Sequence, residues 1–327
     1  MKTSSNRRQF LQTTALAGAG LLLPIDKLKV LPVRPGGTPV LTPDEITAIE
    51  TAIGKKGSYK EAESVHTTPL PRNDLKVMIK GSPIPIPFGF GGWVSFKKSV
   101  DGKSAMVMGD TVLLQEEVNP IISAAQANGL EISAIHNHFF YEEPRIFYMH
   151  IQGMGSIAEL AKRYANTIRD SKIFPANQPA PSTPSAITGK ENFELPALDA
   201  IIKYTGTVNG PTYKYTIGRS DLKVMMTGVE MTTNIGLNTW ASFAGKQDDA
   251  RIAGDIAMLP GEVNNVIRAL RSHNLEVVAV HSHMLNDDPH IIFLHYYGKG
   301  PAVTLAQGFR AALDELGKNS PMGGMKM

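Results

Sequence analysis

Apolar and polar positions change period several times along the chain, and each change marks an element. Thr42-Pro43-Asp44-Glu45 opens a helix that runs to about Ile53, with Thr42 as cap, Pro43 in the first turn and Gly54 as the stop. Shorter stretches near Tyr59–Thr67, Asp74–Lys80, Trp93–Lys98 and Ala105–Met108 alternate or carry β-branched and aromatic residues, which predicts strands. The Pro- and Gly-rich Ser82–Gly92 reads as a loop. Helical spacing returns over Glu116–Asn128, ended by Gly129, and over Ser156–Arg169. Between these two helices lies Glu131–His150, EISAIHNHFFYEEPRIFYMH: an apolar run, a His-x-His, an acidic loop closed by proline, a second apolar run and a third histidine.

That segment recurs as Glu276–His295, EVVAVHSHMLNDDPHIIFLH. Aligning residues 110–150 with 255–295 needs no gap and gives 15 identities in 41 positions. Asp74-Leu75-Lys76-Val77-Met78 returns as Asp221-Leu222-Lys223-Val224-Met225, and Trp93-x-Ser95-Phe96 as Trp240-x-Ser242-Phe243. The chain is therefore a tandem repeat. Each copy reads α-β-β-β-β-α-β-β-α, an α+β domain with a mainly antiparallel sheet and packed helices, and the two copies are expected to form an intramolecular pseudo-dimer. The expected boundaries are an export segment at 1–30, a linker at 31–40, the first repeat at 41–170, a Pro-rich linker at 171–193, the second repeat at 194–317 and a tail at 318–327.

Composition narrows the function. With 327 residues, two domains and a full core are affordable. A net charge of +3 without a basic run argues against nucleic acid as a partner. The absence of cysteine removes disulfides, thiolate ligands and cysteine nucleophiles. Near the start, Ser5-Asn6-Arg7-Arg8-Gln9-Phe10-Leu11 followed by an apolar stretch to Leu23 fits a twin-arginine signal, which places the expected location outside the cytoplasm, in the periplasm. The apolar stretch is too short for a comfortable membrane span.

Six of the nine histidines occupy three equivalent positions: His136, His138 and His150, then His281, His283 and His295. Residues two apart on a strand share a face, so each His-x-His pair projects together. Imidazole sets of this kind suit a divalent transition metal, zinc among the candidates. The expectation is one metal site in each repeat. If each site is catalytic, the chemistry is metal-assisted hydrolysis with Glu143 and Asp288 as general bases. A non-catalytic envelope protein binding a metal or an unidentified small molecule uses the same residues, as does a ligand-free scaffold. Asp110 and Asp255 read as helix caps ahead of Glu117 and Glu262, or as extra oxygen ligands. Trp93 and Trp240 read as core. In a regular hairpin His150 falls opposite Ala134, a diagonal neighbour of His136 at ~7–8 Å. His138 is then roughly 13 Å away, too far to share an ion with it.

The series Gly254-Asp255, Glu262-Val263-Asn264, His281-Ser282-His283, Asp288-Pro289 and His295 with Gly298 and Gly300 resembles the LppY/LpqO family of exported bacterial proteins, a domain of unknown function. The first copy carries the series again from Gly109-Asp110 to Gly153 and Gly155. The resemblance implies an envelope location and no known activity; the lipidated cysteine of the family's lipoproteins is missing. His136-x-His138 with Glu142 or Glu143 is also similar to the first cupin motif, but a helix precedes this strand where cupins are nearly all strand.

Overall fold

The computed structural model describes residues 37–178 and 187–318. The export segment, the middle of the Pro-rich linker and most of the tail, with Met322, Met325 and Met327, lie outside the described residues.

The first copy runs α1 (Pro43–Ile53), β1 (Ser58–Lys60), β2 (Val65–Pro71), β3 (Val77–Ile79), β4 (Ser82–Ile84), β5 (Gly91–Lys98), β6 (Ala105–Leu114), α2 (Gln115–Ala127), β7 (Glu131–His136), β8 (Glu142–Glu143), β9 (Ile146–Gly155) and α3 (Ile157–Ile168). The second runs α4 (Gly189–Asn192), α5 (Leu195–Ile202), β10 (Thr207–Asn209), β11 (Thr212–Gly218), β12 (Val224–Met226), β13 (Val229–Met231), β14 (Asn238–Lys246), β15 (Asp249–Met258), α6 (Val263–Ser272), β16 (Glu276–His281), β17 (Asp287–Asp288), β18 (Ile292–Gly300) and α7 (Ala302–Leu313). Each copy builds a six-stranded antiparallel sheet, β1-β2-β5-β6-β9-β7 and β10-β11-β14-β15-β18-β16, and a three-stranded one, β4-β3-β8 and β13-β12-β17. The chain is thus two tandem α+β domains. The stretch read as a loop, Ser82–Gly92, contributes β4 and a 3-10 turn at Ile86–Phe88.

Local chemistry sets the elements. Thr42 accepts from the Glu45 amide and Glu45 returns a bond to the Thr42 amide, while Gly54 ends α1 in the left-handed region. In α3, Ile157, Leu160, Ala161, Tyr164, Ala165 and Ile168 fall on one stripe and are buried. Buried Arg72 forks onto Asp74 and Glu117, pinning the end of β2 to the start of α2; Arg219, Asp221 and Glu262 repeat the arrangement.

The large sheets are covered on both faces. Ala105, Val107 and Leu113 of β6 join α1, α2 and α3 in the first copy's own core. The alternate residues Met106 and Met108 pack with Val224, Met226, Val229 and Met231 from the other copy's small sheet. Reciprocally, Val77, Ile79, Phe88 and Phe90 pack with Ala244, Ala253 and Tyr297. Each copy lays its small sheet over the inner face of the other's large sheet. At roughly 1.5–3 kcal/mol for each fully buried apolar side chain, the halves depend on each other for stability.

Candidate metal centre

The inner faces carry the chemistry where the two copies meet. On β6 the inward series Met106, Met108, Asp110 brings one carboxylate into this face, and His150 on β9 sits directly across from it. β15 and β18 repeat the pair as Asp255 and His295. The glycine before each aspartate faces outward into a crowded place. A Cβ on Gly109 would lie 2.9 Å from the Tyr164 ring, and one on Gly254 would collide with the Trp240 carbonyl oxygen. The repeated Gly-Asp is thus a close approach on one face and a buried acid on the other, not a helix cap. The amide of Leu114, ahead of α2, is instead satisfied by Glu117.

His150 pairs with Ala134, as regular hairpin geometry requires, with a register shift between Ile132 and Ala134. His136 and His281 end β7 and β16, and His138 and His283 follow in the irregular turns. The six rings do not form one site per repeat. They form a single cluster across the copies. Ring centroids of His136 and His281 are 3.8 Å apart. His138 lies 3.8 Å from His295, and His150 lies 3.9 Å from His283. Those two matching distances define a pseudo-two-fold axis passing between His136 and His281. The ring of His138 finds its neighbour in the other copy, which resolves its distance from His150 along the hairpin. Tyr148 stacks on His138 and Phe293 on His283, fixing the ring planes. Ser133 donates to the His283 carbonyl at 2.6 Å and ties the copies beside the cluster.

Ligand atoms of His136, His281 and His295 lie within 4.8 Å of one another, as do those of His150, His281 and His283, and of Asp110, His136 and His150. Asp255 Oδ2 is 3.2 Å from His283 Nε2 and 3.8 Å from His295 Nε2. The ring nitrogens make no aligned hydrogen bond in the protein, except His295 Nδ1, which donates to the Gly254 carbonyl at 3.0 Å. Burial, then the neighbouring rings, holds His136, His138, His150 and His295 well below the ordinary imidazole range, and burial takes His281 and His283 down to about 3. Burial raises Asp110 to about 8 and Asp255 to about 7. Neutral imidazoles whose buried nitrogens, His295 Nδ1 apart, make no aligned hydrogen bond are the donor set a borderline metal ion takes, so the residues fit a divalent transition metal.

Glu143 and Asp288 are not part of this centre. They are exposed on β8 and β17, paired with Met78 and Met225 of the small sheets. Their neighbours Glu142 and Asp287 hold the loop by accepting from the Ile146 and Ile291 amides. Nearness in sequence to His-x-His misassigns these acids; the acids at the cluster come from a strand 26–28 residues upstream. A chamber of about 520 Å³ opens beside the cluster, lined by His138, His150, His283, His295, Asp110 and Asp255. Trp93, Trp240 and Lys214 also line it; both tryptophans are half-buried walls of the chamber, and Trp93 also packs against the core between the copies.

The family model described as Domain of Unknown Function (DUF1259) matches residues 47–170 and again 196–315. The chain belongs to this family. It carries the DUF1259 domain twice, and the histidine-cluster residues of both copies fall within the matched segments. No curated protein matches the chain. Among solved structures it is similar to the trimeric microcompartment shell protein PduB at 11% identity, over 82% of this chain and 93% of that one, with a TM-score of 0.22. The double-ringed trimeric shell protein MSM0271 of the RMM microcompartment matches at 10% identity, 65% and 83% coverage and a TM-score of 0.18. EtuB from Clostridium kluyveri matches at 10%, 69% and 88%, again at 0.18. Superposition at this level carries no argument for the DUF1259 pair.

Proposed function

We propose that this DUF1259 protein holds a divalent transition metal at one centre built jointly by its two repeats, and that the centre serves metal-assisted hydrolysis of a small molecule admitted through the adjoining chamber. The observation that carries the reading is the set of buried imidazole nitrogens, drawn from both copies, that converge without hydrogen-bond partners. His136, His281 and His295, or His150, His281 and His283, would hold the ion, with Asp110 and Asp255 as adjacent oxygen donors. A metal there supplies Lewis acidity toward a carbonyl or phosphoryl oxygen. The chain's own part is to bring the imidazoles together from both copies and to present the substrate along the chamber wall. A protein that merely sequesters metal has no need of that chamber, so its presence favours catalysis over storage. The Arg7-Arg8 signal and the resemblance to exported LppY/LpqO proteins support a periplasmic location.

The test is metal analysis of untagged protein after incubation with Zn, Cu, Ni, Fe or Mn salts. One shared centre requires that His281→Ala, the residue common to both imidazole triads, remove all bound metal while circular dichroism is kept. Retention of half the metal would mean separate centres, and no metal in the wild type would end the metal reading.

A further inference from the structure

The chamber is built by a pseudo-symmetric pair of repeats, but its two sides differ in chemistry. Positions 63–98 correspond to 210–245 at a constant offset, so Thr67 matches Lys214, Ser95 matches Ser242, and Pro87 matches Asn234. On one side these positions clamp the copies together. Thr67 Oγ1 and Ser95 Oγ both donate to the Asn234 carbonyl, at 3.1 and 2.9 Å. Glu63 takes the Asn234 amide at 2.8 Å, and its other oxygen takes the Asn234 side chain.

On the other side the clamp is gone. Glu63 is replaced by Gly210 and Asn234 by Pro87, which has no amide to donate. Ser242, fully buried and paired across the strands with Lys214, has a hydroxyl with no partner. Thr67 is replaced by Lys214, whose ammonium sits 4.6 Å over the Trp240 ring and lines the chamber. No carboxylate pairs with it among the described residues, unlike Lys80, Lys98 and Lys299. A lysine carried into the chamber wall loses hydration, and the indole face and the field of Asp110, which forms no ion pair with it, offset that loss within the chain. A chamber-lining ammonium without an ion pair is what an anionic group would complete.

We propose that the chamber takes a small organic anion whose carboxylate or phosphoryl group pairs with Lys214, so that the rest of the molecule points to the histidine cluster in one orientation only. The proposal rests on the metal-centre reading for what happens at the far end of the ligand, not for its anchoring. A single lysine thereby turns a two-fold chamber into a directional one.

Both tryptophans of the chain, Trp93 and Trp240, line the chamber, so intrinsic fluorescence reports its occupancy. Full-length protein, zinc-loaded and EDTA-treated, is titrated with benzoate, phenyl phosphate and uncharged benzamide. The expected result is saturable quenching by at least one of the two anions, with benzamide at least tenfold weaker. Lys214→Met should weaken the anion about tenfold or more, Lys214→Arg should keep most of the affinity, and metal content should not change. Benzamide binding as tightly as the anions, or neither anion binding, overturns the proposal without any variant. Equal anion affinity in folded Lys214→Met overturns it too. Lys214-dependent binding in a protein that takes up no metal would leave this proposal standing while the metal centre fell.

Discussion

Acidification of the metal-free protein tests the histidine cluster most directly. Histidines buried as neutral rings stabilise the fold above pH ~6.5, and that contribution is lost as pH falls from the unfolded-state value toward the depressed folded one. For His281 and His283, held at about 3, the loss between pH 6.5 and 5 is about 2 kcal/mol each at 1.36 kcal/mol per unit. Asp255 and Asp110 act with the opposite sign. Raised to about 7 and about 8, they are favoured in the fold when protonated, so the same acidification returns about 2 kcal/mol from each. These two pairs nearly cancel. His136, His138, His150 and His295, all lowered by the same burial, decide the net sign, and it is destabilising. The depressed acids Asp74 and Asp221 titrate below this window and do not enter. Those four rings outnumber Glu142, which burial raises and which acts with the sign of the aspartates, so acidification costs stability on balance. Urea unfolding in EDTA at steps from pH 7.5 to 5 should show the midpoint collapsing below pH 6.5. Saturating zinc should restore at least ~2.7 kcal/mol at a hundredfold excess over the dissociation constant. EDTA-treated protein whose stability holds or rises from pH 6.5 to 5 would mean that the rings are not buried as neutral groups, and the cluster's geometry would be wrong.

Two further outcomes are expected elsewhere in the chain. Glu262, buried and accepting from Arg219 and from the Leu259 and Gly317 amides, should cost about 3–5 kcal/mol as Glu262→Ala in urea unfolding, because a buried guanidinium loses a partner; a loss under 1 kcal/mol would refute that role. Residues 1–30 fused to a folded reporter should carry it to the periplasm, and Arg7→Lys with Arg8→Lys should stop it; unchanged export of the double variant would count against the twin-arginine signal.

Much of the fold was legible because it is local. The Thr42 and Ser156 caps, the Gly54 stop and the buried stripe of α3 are written within a dozen residues of each helix. The pairing of His150 with Ala134 follows from counting along a hairpin. What could not be read was the contact of His138 with His295, 157 positions away, because nothing local sets how two domains face each other. A signal was nevertheless present. Ala105–Leu114 is buried at nearly every position, and an antiparallel strand without polar alternation needs cover on both faces. The helices cover one face only, so the second had to meet the other copy. That would have put Asp110, an acid inside such a strand, at the interface. Glu143 and Asp288 were misplaced for the converse reason: the turn after His-x-His sends them outward into the small sheets, whatever their distance in sequence.

The shared cluster also explains why duplication within one chain differs from a dimer of single domains. In a symmetric dimer every residue near the axis appears twice, so a lysine at the position of Lys214 would enter the chamber from both sides and displace both clamps. Here the two halves have drifted apart. Thr67, Ser95 and Glu63 clamp one side onto Asn234, while Gly210, Lys214 and Ser242 make no such clamp on the other. The histidines, which must converge from both sides, stayed paired, and Asp110 stayed paired with Asp255. Ser133 has no hydroxyl counterpart at Val278, so even the tie beside the cluster is made once. Near the axis, chemistry that needs both copies kept its symmetry. The chamber wall, where Lys214 stands at the position of Thr67, lost it.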